Sequence, residues 1–193
     1  MKGIKLIALS AFSTAFLSFT PVNKKYIVID AGHGGNDMGA VYQDTVEKDI
    51  TLHIAHEIEK INTTQDKYEV ILTRGSDDDI ILADRTAKIN DLKPEMVISL
   101  HVNSNPKEET PDKGTEIFVQ NSDSSRKLAE KISKKFNVRK IEERNLHMLR
   151  ESQSPTVLVE LGFVNNTEDR RYMTSEKGQQ EIAKKFIEVI KEY

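Results

Sequence analysis

Four residues have the types and settings to do chemistry together. His33 sits in Asp30-Ala31-Gly32-His33-Gly34-Gly35, straight after the apolar run Tyr26-Ile27-Val28-Ile29. Glu47 stands at the head of a helix-patterned stretch. His101 follows Met96-Val97-Ile98-Ser99-Leu100, and Glu160 follows Thr156-Val157-Leu158-Val159. Two histidines and one carboxylate give three protein ligands, the count of a catalytic zinc site that keeps one position for water. Water on such a metal ionises near neutrality, so hydroxide is available at about pH 7. A further carboxylate can take the water proton and pass it to a leaving amine. His33, Glu47 and His101 are the candidate ligands, and Glu160 is the candidate base. The glycines beside His33 let the backbone bend sharply and leave the imidazole uncrowded.

Each residue also has a plainer reading. The glycine-rich turn could be only a turn, or an anion-binding loop, although it fits neither the P-loop nor the G-x-G-x-x-G template. Glu47 could merely face a helix macrodipole. His101 could be a hydrogen-bonded core histidine, and Glu160 could pair with Arg150. His53-Ile54-Ala55-His56-Glu57 puts two histidines on one helix face, yet matches neither H-E-x-x-H nor H-x-x-E-H. Both are expected to flank an apolar stripe without binding metal. Arg74 and Arg85 read as structural. His147, in a segment rich in Arg and Glu, has no assigned role.

The elements that must position these residues are visible as alternating patterns. Strands are expected at Tyr26 to Asp30, Glu69 to Thr73, Met96 to Leu100, Thr115 to Val119 and Thr156 to Glu160. Most are continuous apolar runs, as suits strands buried on both faces. Ile50, Ile54, Ile58 and Ile61 make one helical stripe, with Asp44 or Thr45 able to cap its start. Further helices are expected from Ala83 to Leu92, Ser124 to Phe136 and Gln179 to Tyr193. This alternation predicts a single three-layer α/β domain with a mainly parallel sheet flanked by helices. Working residues in such folds gather beyond the carboxyl ends of the strands. In a parallel sheet the four side chains can therefore converge on one edge.

Composition narrows the class. The 193 residues include 28 Lys plus Arg and 31 Asp plus Glu, for a net charge of −3. That balance argues against a nucleic-acid partner, which selects a basic excess. With 37% hydrophobic and 31% charged residues, the chain is globular and not disordered. The absence of cysteine excludes disulfides, Cys-ligated zinc and a thiol nucleophile. At the start, Lys2 and Lys5 precede an uncharged run from Leu6 to Phe19, and Pro21 ends it. The run is short of the roughly 20 residues a bilayer span needs and matches a secretory signal. Residues 1–22 are accordingly read as an export signal and 23–193 as a catalytic domain. An uncleaved anchor and a buried helix are the alternatives. Export would place the protein outside the cell or on its wall, touching the membrane only through that signal.

The same residues resemble the zinc-dependent N-acetylmuramoyl-L-alanine amidases of the Amidase_3 family. The likeness runs from about Tyr26 to Tyr193. It is carried by Val28-Ile29-Asp30-Ala31-Gly32-His33-Gly34-Gly35, Glu47-Lys48-Asp49, Leu72-Thr73-Arg74 and Ile98-Ser99-Leu100-His101-Val102-Asn103-Ser104. Leu149-Arg150-Glu151 and Val157-Leu158-Val159-Glu160-Leu161-Gly162-Phe163-Val164-Asn165-Asn166 complete it. By position the resemblance implies Zn2+ on His33, Glu47 and His101, with Glu160 as the catalytic carboxylate. It implies peptidoglycan as substrate, cut between N-acetylmuramic acid and L-alanine. Asn103 and Ser104 are candidate contacts to the peptide stem, or caps of the next turn. Ala31 departs from the family's usual proline there, which implies a looser loop with the same chemistry. Between Gly114 and Arg150 there is no length to spare for the plugging helix of some relatives. No further wall-binding module and no obligate protein partner are expected. A dead wall-binding module, or a zinc peptidase or deacetylase acting on a related polymer, are the competing functions.

Overall fold

The computed structural model describes residues 25–62 and 67–193. The expected export signal at 1–22 lies outside the described residues. Among those described, no helix is long and apolar enough to cross a membrane.

The main sheet has six strands. They are β1 (Lys25–Ala31), β4 (Tyr68–Leu72), β5 (Met96–Asn103), β6 (Thr115–Val119), β7 (Val138–Glu143) and β8 (Thr156–Phe163). Their order is β4-β1-β5-β8-β6-β7. β4, β1, β5 and β8 are mutually parallel, whereas β6 pairs antiparallel with β8 and parallel with β7. A small hairpin joins β2 (Val41–Tyr42) to β3 (Thr45–Val46). Among the described residues six helices complete the domain: α1 (Glu47–Asn62), α2 (Leu82–Leu92), α3 (Asp123–Ser133), α4 (His147–Glu151), α5 (Thr167–Thr174) and α6 (Glu176–Lys191).

The layers follow from side-chain alternation along the strands. On one face, Ile27, Ile29, Ile98 and Val157 share a core with Ile54 of α1, Leu128 of α3 and Phe186 of α6. On the other face, Val28 and Val97 meet Ile89 of α2 and Met148 of α4, and Phe118, Leu149 and Leu158 form a further cluster. The isoleucine stripe of α1 is buried as expected at Ile50, Ile54 and Ile58. So is that of α6 at Ile182, Phe186 and Ile190. The fold is the expected three-layer α/β domain.

Several expectations need correction. α1 begins at Glu47, as expected, but Val46 precedes it and not one of the expected caps Asp44 or Thr45, because Thr45 is taken into the β2–β3 hairpin. β5 and β8 run three residues past their expected ends, so His101 and Glu160 lie inside strands. β7 carries Arg139, Lys140, Glu142 and Glu143 on a sheet edge, so it has no apolar run to announce it. α4 and α5 are short and were not foreseen. Residues 115–151 are used up by β6, α3, β7 and α4.

Ile54 is fully buried between α1 and the sheet. Ile54→Ala should cost about 3 kcal/mol through lost burial and the cavity left behind. Urea titration would show a lower midpoint at unchanged slope. A loss below about 1 kcal/mol would contradict this packing.

Candidate metal centre and active site

The loop after β1 is held with little slack. Gly32 N–H donates to Leu100 O at 3.0 Å, which continues β1 alongside β5. A Cβ on Gly32 would come within 2.6 Å of His101 Cε1, so only glycine lets this backbone lie under that ring. His33 follows at φ 64, a left-handed conformation that disfavours side chains. Two buried arginines fix it there. Arg85 donates to Ala31 O at 2.6 Å and His33 O at 2.5 Å. Arg74 donates to Ala31 O at 2.9 Å, Gly32 O at 2.9 Å and Lys48 O at 2.8 Å. Both arginines are structural, as the sequence suggested. Asp30 balances Arg85 at 2.9 Å and accepts from Ser99 Oγ and Thr73 Oγ1. Burial pushes the Asp30 carboxyl up, but Arg85 and the two hydroxyls outweigh it and hold the group low.

Glu47 enters the same point from the first turn of α1. Its Oε2 accepts from Ala40 N–H at 2.7 Å, and its Oε1 accepts from Val102 N–H at 2.8 Å. Oε1 lies 3.0 Å from His33 Nε2 and 3.0 Å from His101 Nδ1. The two ring nitrogens are 3.1 Å apart. Three side chains expected to converge from sites far apart in sequence thus meet, and among the described residues they form a group able to hold a metal ion. Gly39, at φ 66, makes room: a Cβ there would sit 2.5 Å from Glu47 Oε2 and 2.7 Å from His33 Cδ2.

The donor set fits zinc. Two imidazole nitrogens and one carboxylate oxygen are the ligand chemistry of catalytic zinc sites. His33 Nδ1–H donates to Asp37 Oδ2 at 2.8 Å, which leaves Nε2 free to present its lone pair to the cluster. Carboxylates in this role orient metal-binding histidines. Sequence reasoning missed Asp37, although its place four residues after His33 in a glycine-rich turn was a usable signal. Without a cation, a proton on His33 offsets the Glu47 charge. Burial works against charge on His33, but Glu47 and Asp37 outweigh it and raise its pKa to about 9. Burial likewise opposes the Glu47 anion, but His101 and His33 bring it down to about 2.

Glu160 lies beside His101 in the β5–β8 register and opposite Glu116 in the β6–β8 register. Its Oε2 is buried and has no hydrogen-bond partner among the described residues. Burial pushes its pKa up to about 7; His101 opposes the rise, and Glu47 and Glu116 reinforce it. Arg150 is not its partner, since that side chain donates to Glu151 and Asn145. Asn103 Nδ2–H donates to Glu116 Oε2 at 3.1 Å, its Oδ1 accepts from Ser104 N–H, and Ser104 is exposed. His53 is exposed and His56 lies 3.0 Å from Gly75 O, so both stay out of the cluster. A cleft of about 490 Å³ opens beside His33 and His101, between Ile80–Leu82 and Leu146–Met148. His147 stands on its wall, with Nε2 3.4 Å from Thr86 Oγ1.

Residues 27–192 match the model of the family Amidase_3, N-acetylmuramoyl-L-alanine amidase. The chain belongs to this family. It is 33% identical over 183 residues to the uncharacterized protein YqiI of Bacillus subtilis, covering 90% of this chain and 86% of YqiI. It is 33% identical over 181 residues to the endolysin of Bacillus phage SPP1, covering 87% of this chain but 65% of that endolysin. The chain thus spans just under two thirds of the endolysin's length. Among solved structures, the catalytic domain of CwlV, an N-acetylmuramoyl-L-alanine amidase from Paenibacillus polymyxa, superposes with a TM-score of 0.82 at 33% identity. That match covers 88% of this chain and 97% of the CwlV domain. The amidase fold therefore extends through the β-α pattern built above.

Two outcomes follow for this family member. Gly39→Ala should keep the fold yet weaken zinc binding by about 10- to 100-fold, because it displaces Glu47 and His33. Competition with a chromogenic chelator would measure the loss, and unchanged affinity would contradict the close approach. His33 holds a proton up to about pH 9 when metal-free. Zinc binding at pH 7.5 should therefore release about one proton. Titration calorimetry in buffers of different ionisation enthalpy counts it, and zero release would contradict the protonated cluster.

Proposed function

We propose that this chain is a zinc-dependent N-acetylmuramoyl-L-alanine amidase that hydrolyses peptidoglycan outside the membrane. The bond cut joins the lactyl group of N-acetylmuramic acid to L-alanine. The observation that carries the reading is the Glu160 carboxylate, whose buried Oε2 has no hydrogen-bond partner among the described residues, beside the convergent His33, Glu47 and His101. A structural ion cluster has no need of such a group. Family membership supplies the substrate class. Residues 1–22 act in this reading as the export signal, and 23–193 as the catalytic domain on the cell wall.

His33 Nε2, Glu47 Oε1 and His101 Nδ1 hold the metal in this reading. Zinc bound there supplies Lewis acidity toward the substrate carbonyl and a water acidified to near neutrality. Glu160 accepts the proton of the attacking water and returns it to the alanine nitrogen as the carbon–nitrogen bond breaks. Burial raises the Glu160 carboxyl toward neutrality, which suits both halves of that exchange. Asp37 keeps His33 in the tautomer whose Nε2 faces the cluster. Val102 N–H and Ala40 N–H fix both oxygens of Glu47. Asn103 and Ser104, at the end of β5, contact the peptide stem in this reading. All these groups come from one chain.

Glu160→Gln should retain zinc and lose about 100-fold or more of the hydrolysis rate. The assay labels new amino-terminal alanine on insoluble peptidoglycan, with and without chelator. Alanine that appears without zinc, or from the glutamine variant at full rate, would overturn the reading. Hydrolysis should also rise with pH to a plateau. Glu160 works as a base only when ionised, so the rising limb should lie at or below about pH 7. A bound dication favours the carboxylate and moves the limb downward. A rate that falls across pH 5 to 7 would contradict the assignment.

A further inference from the structure

The cleft beside the metal cluster has features that the hydrolytic step does not use. Among the described residues five large apolar side chains are exposed, and three of them, Ile81, Leu82 and Leu146, rim this cleft. Ile81 is 62% exposed and Leu82 54%, too much for side chains that serve only the core. A contiguous apolar rim beside a reactive site marks a ligand surface. Its volume of about 490 Å³ falls within the usual span for small-ligand sites, roughly 300–1,000 Å³.

The charge of the cleft narrows the occupant. Asp37 and Asp79 line it. Asp37 is committed to His33 and to Gly39 N–H. Asp79 accepts from the neutral Asn36 amide at 3.0 Å, and among the described residues no lysine or arginine forms an ion pair with it. Arg85, the arginine in the cleft wall, is buried against Asp30 and backbone carbonyls. Asp79 is also held in place. Its loop touches the glycines beside His33, where Asp77 accepts from Gly35 N–H at 2.8 Å and from Lys48 at 2.6 Å. The cleft thus joins aliphatic walls to a fixed carboxylate without a counter-ion. That is the complement of an alkyl chain ending in an ammonium group. No phenylalanine, tyrosine or tryptophan lines the cleft, so it lacks the broad apolar ring on which a sugar stacks.

We propose that this cleft binds the peptide stem of the substrate, with Asp79 receiving the side-chain ammonium of a diamino acid in the stem. Ile81, Leu82 and Leu146 cover the alkyl part of that side chain. The inference rests on the amidase reading and adds a specificity residue to it. Three extended stem residues reach about 10 Å from the scissile amide, and the cleft that holds Asp79 is also lined by His33 and His101.

The test is calorimetric binding of two tripeptides to the zinc-loaded protein. One is L-alanyl-γ-D-glutamyl-L-lysine, and the other is the same peptide with its lysine side chain acetylated. The wild type should bind the free amine about tenfold more tightly. Asp79→Asn should abolish that preference while leaving the affinity for the acetylated peptide unchanged. Leu82→Gln should weaken both peptides together. A preference that survives in Asp79→Asn, or equal binding of both peptides by the wild type, overturns the proposal. Hydrolysis of the muramoyl tripeptide, measured in parallel, separates the two readings. Hydrolysis with a preference indifferent to Asp79 keeps the amidase and removes the subsite. A preference lost in Asp79→Asn without any hydrolysis keeps the subsite and removes the amidase.

Discussion

Two buried guanidinium groups hold the backbone that carries His33, and the rest of the site depends on them. The loop from Ala31 to Ala40 must place an imidazole in a left-handed residue against the first turn of α1. Its carbonyls point inward and would be costly to bury without donors. Arg74 and Arg85 supply those donors as rigid forks, each reaching several carbonyls at once. Lysine could not do this, since its compact ammonium lacks the planar spread. The two cations repel, and Asp30 near the end of β1 relieves that repulsion. Asp30 is in turn fixed by Ser99 and Thr73, so one polar network ties three strands to the loop.

The sheet converts that local rigidity into a site. β1, β5 and β8 are adjacent, and His33, His101 and Glu160 come from those three strands or the loop that follows. Glu47 reaches them because α1 starts directly after the small hairpin, and its oxygens meet backbone amides from two other segments. The arrangement is locally unfavourable. Two imidazoles and a carboxylate crowd within about 3 Å. A second carboxylate, Glu160, is half-buried, and its buried Oε2 has no partner among the described residues. Unpartnered buried polar groups destabilise a fold. They persist where the surrounding structure over-determines them, and such local conflicts concentrate at working sites. Here the continuous apolar core on the α1, α3 and α6 face provides the compensating stability.

The antiparallel β6 and the edge strand β7 add a distinct element. By reversing direction, β6 brings Glu116 opposite Glu160. Glu116 is itself engaged by Lys140 and Arg139 from β7 and by Asn103 from β5. The edge of the sheet therefore reaches into the environment of the candidate base. Charged residues on β7 also guard the sheet edge against pairing with other chains.

Much of this was legible in the linear chain. Apolar runs marked β1, β4, β5, β6 and β8, and isoleucine and phenylalanine stripes marked α1 and α6, because burial on one or both faces dictates those periods. The four chemical residues were legible because three of them follow apolar runs, His33 among glycines, and Glu47 heads a helical stretch. β7, α4, α5 and the β2–β3 hairpin were not, since their residues are mostly polar and their pairing partners lie elsewhere. The expected cap of α1 at Asp44 or Thr45 failed for the same reason: the hairpin claimed Thr45. Tertiary structure alone decided that Glu160 faces Glu116 with its Oε2 unpartnered among the described residues, and that Asp79 and Leu146 share one cleft. Local periodicity encodes which face a residue buries. It carries no information on hydrogen bonds and electrostatic fields between groups forty to seventy residues apart, which exist only once the sheet has assembled.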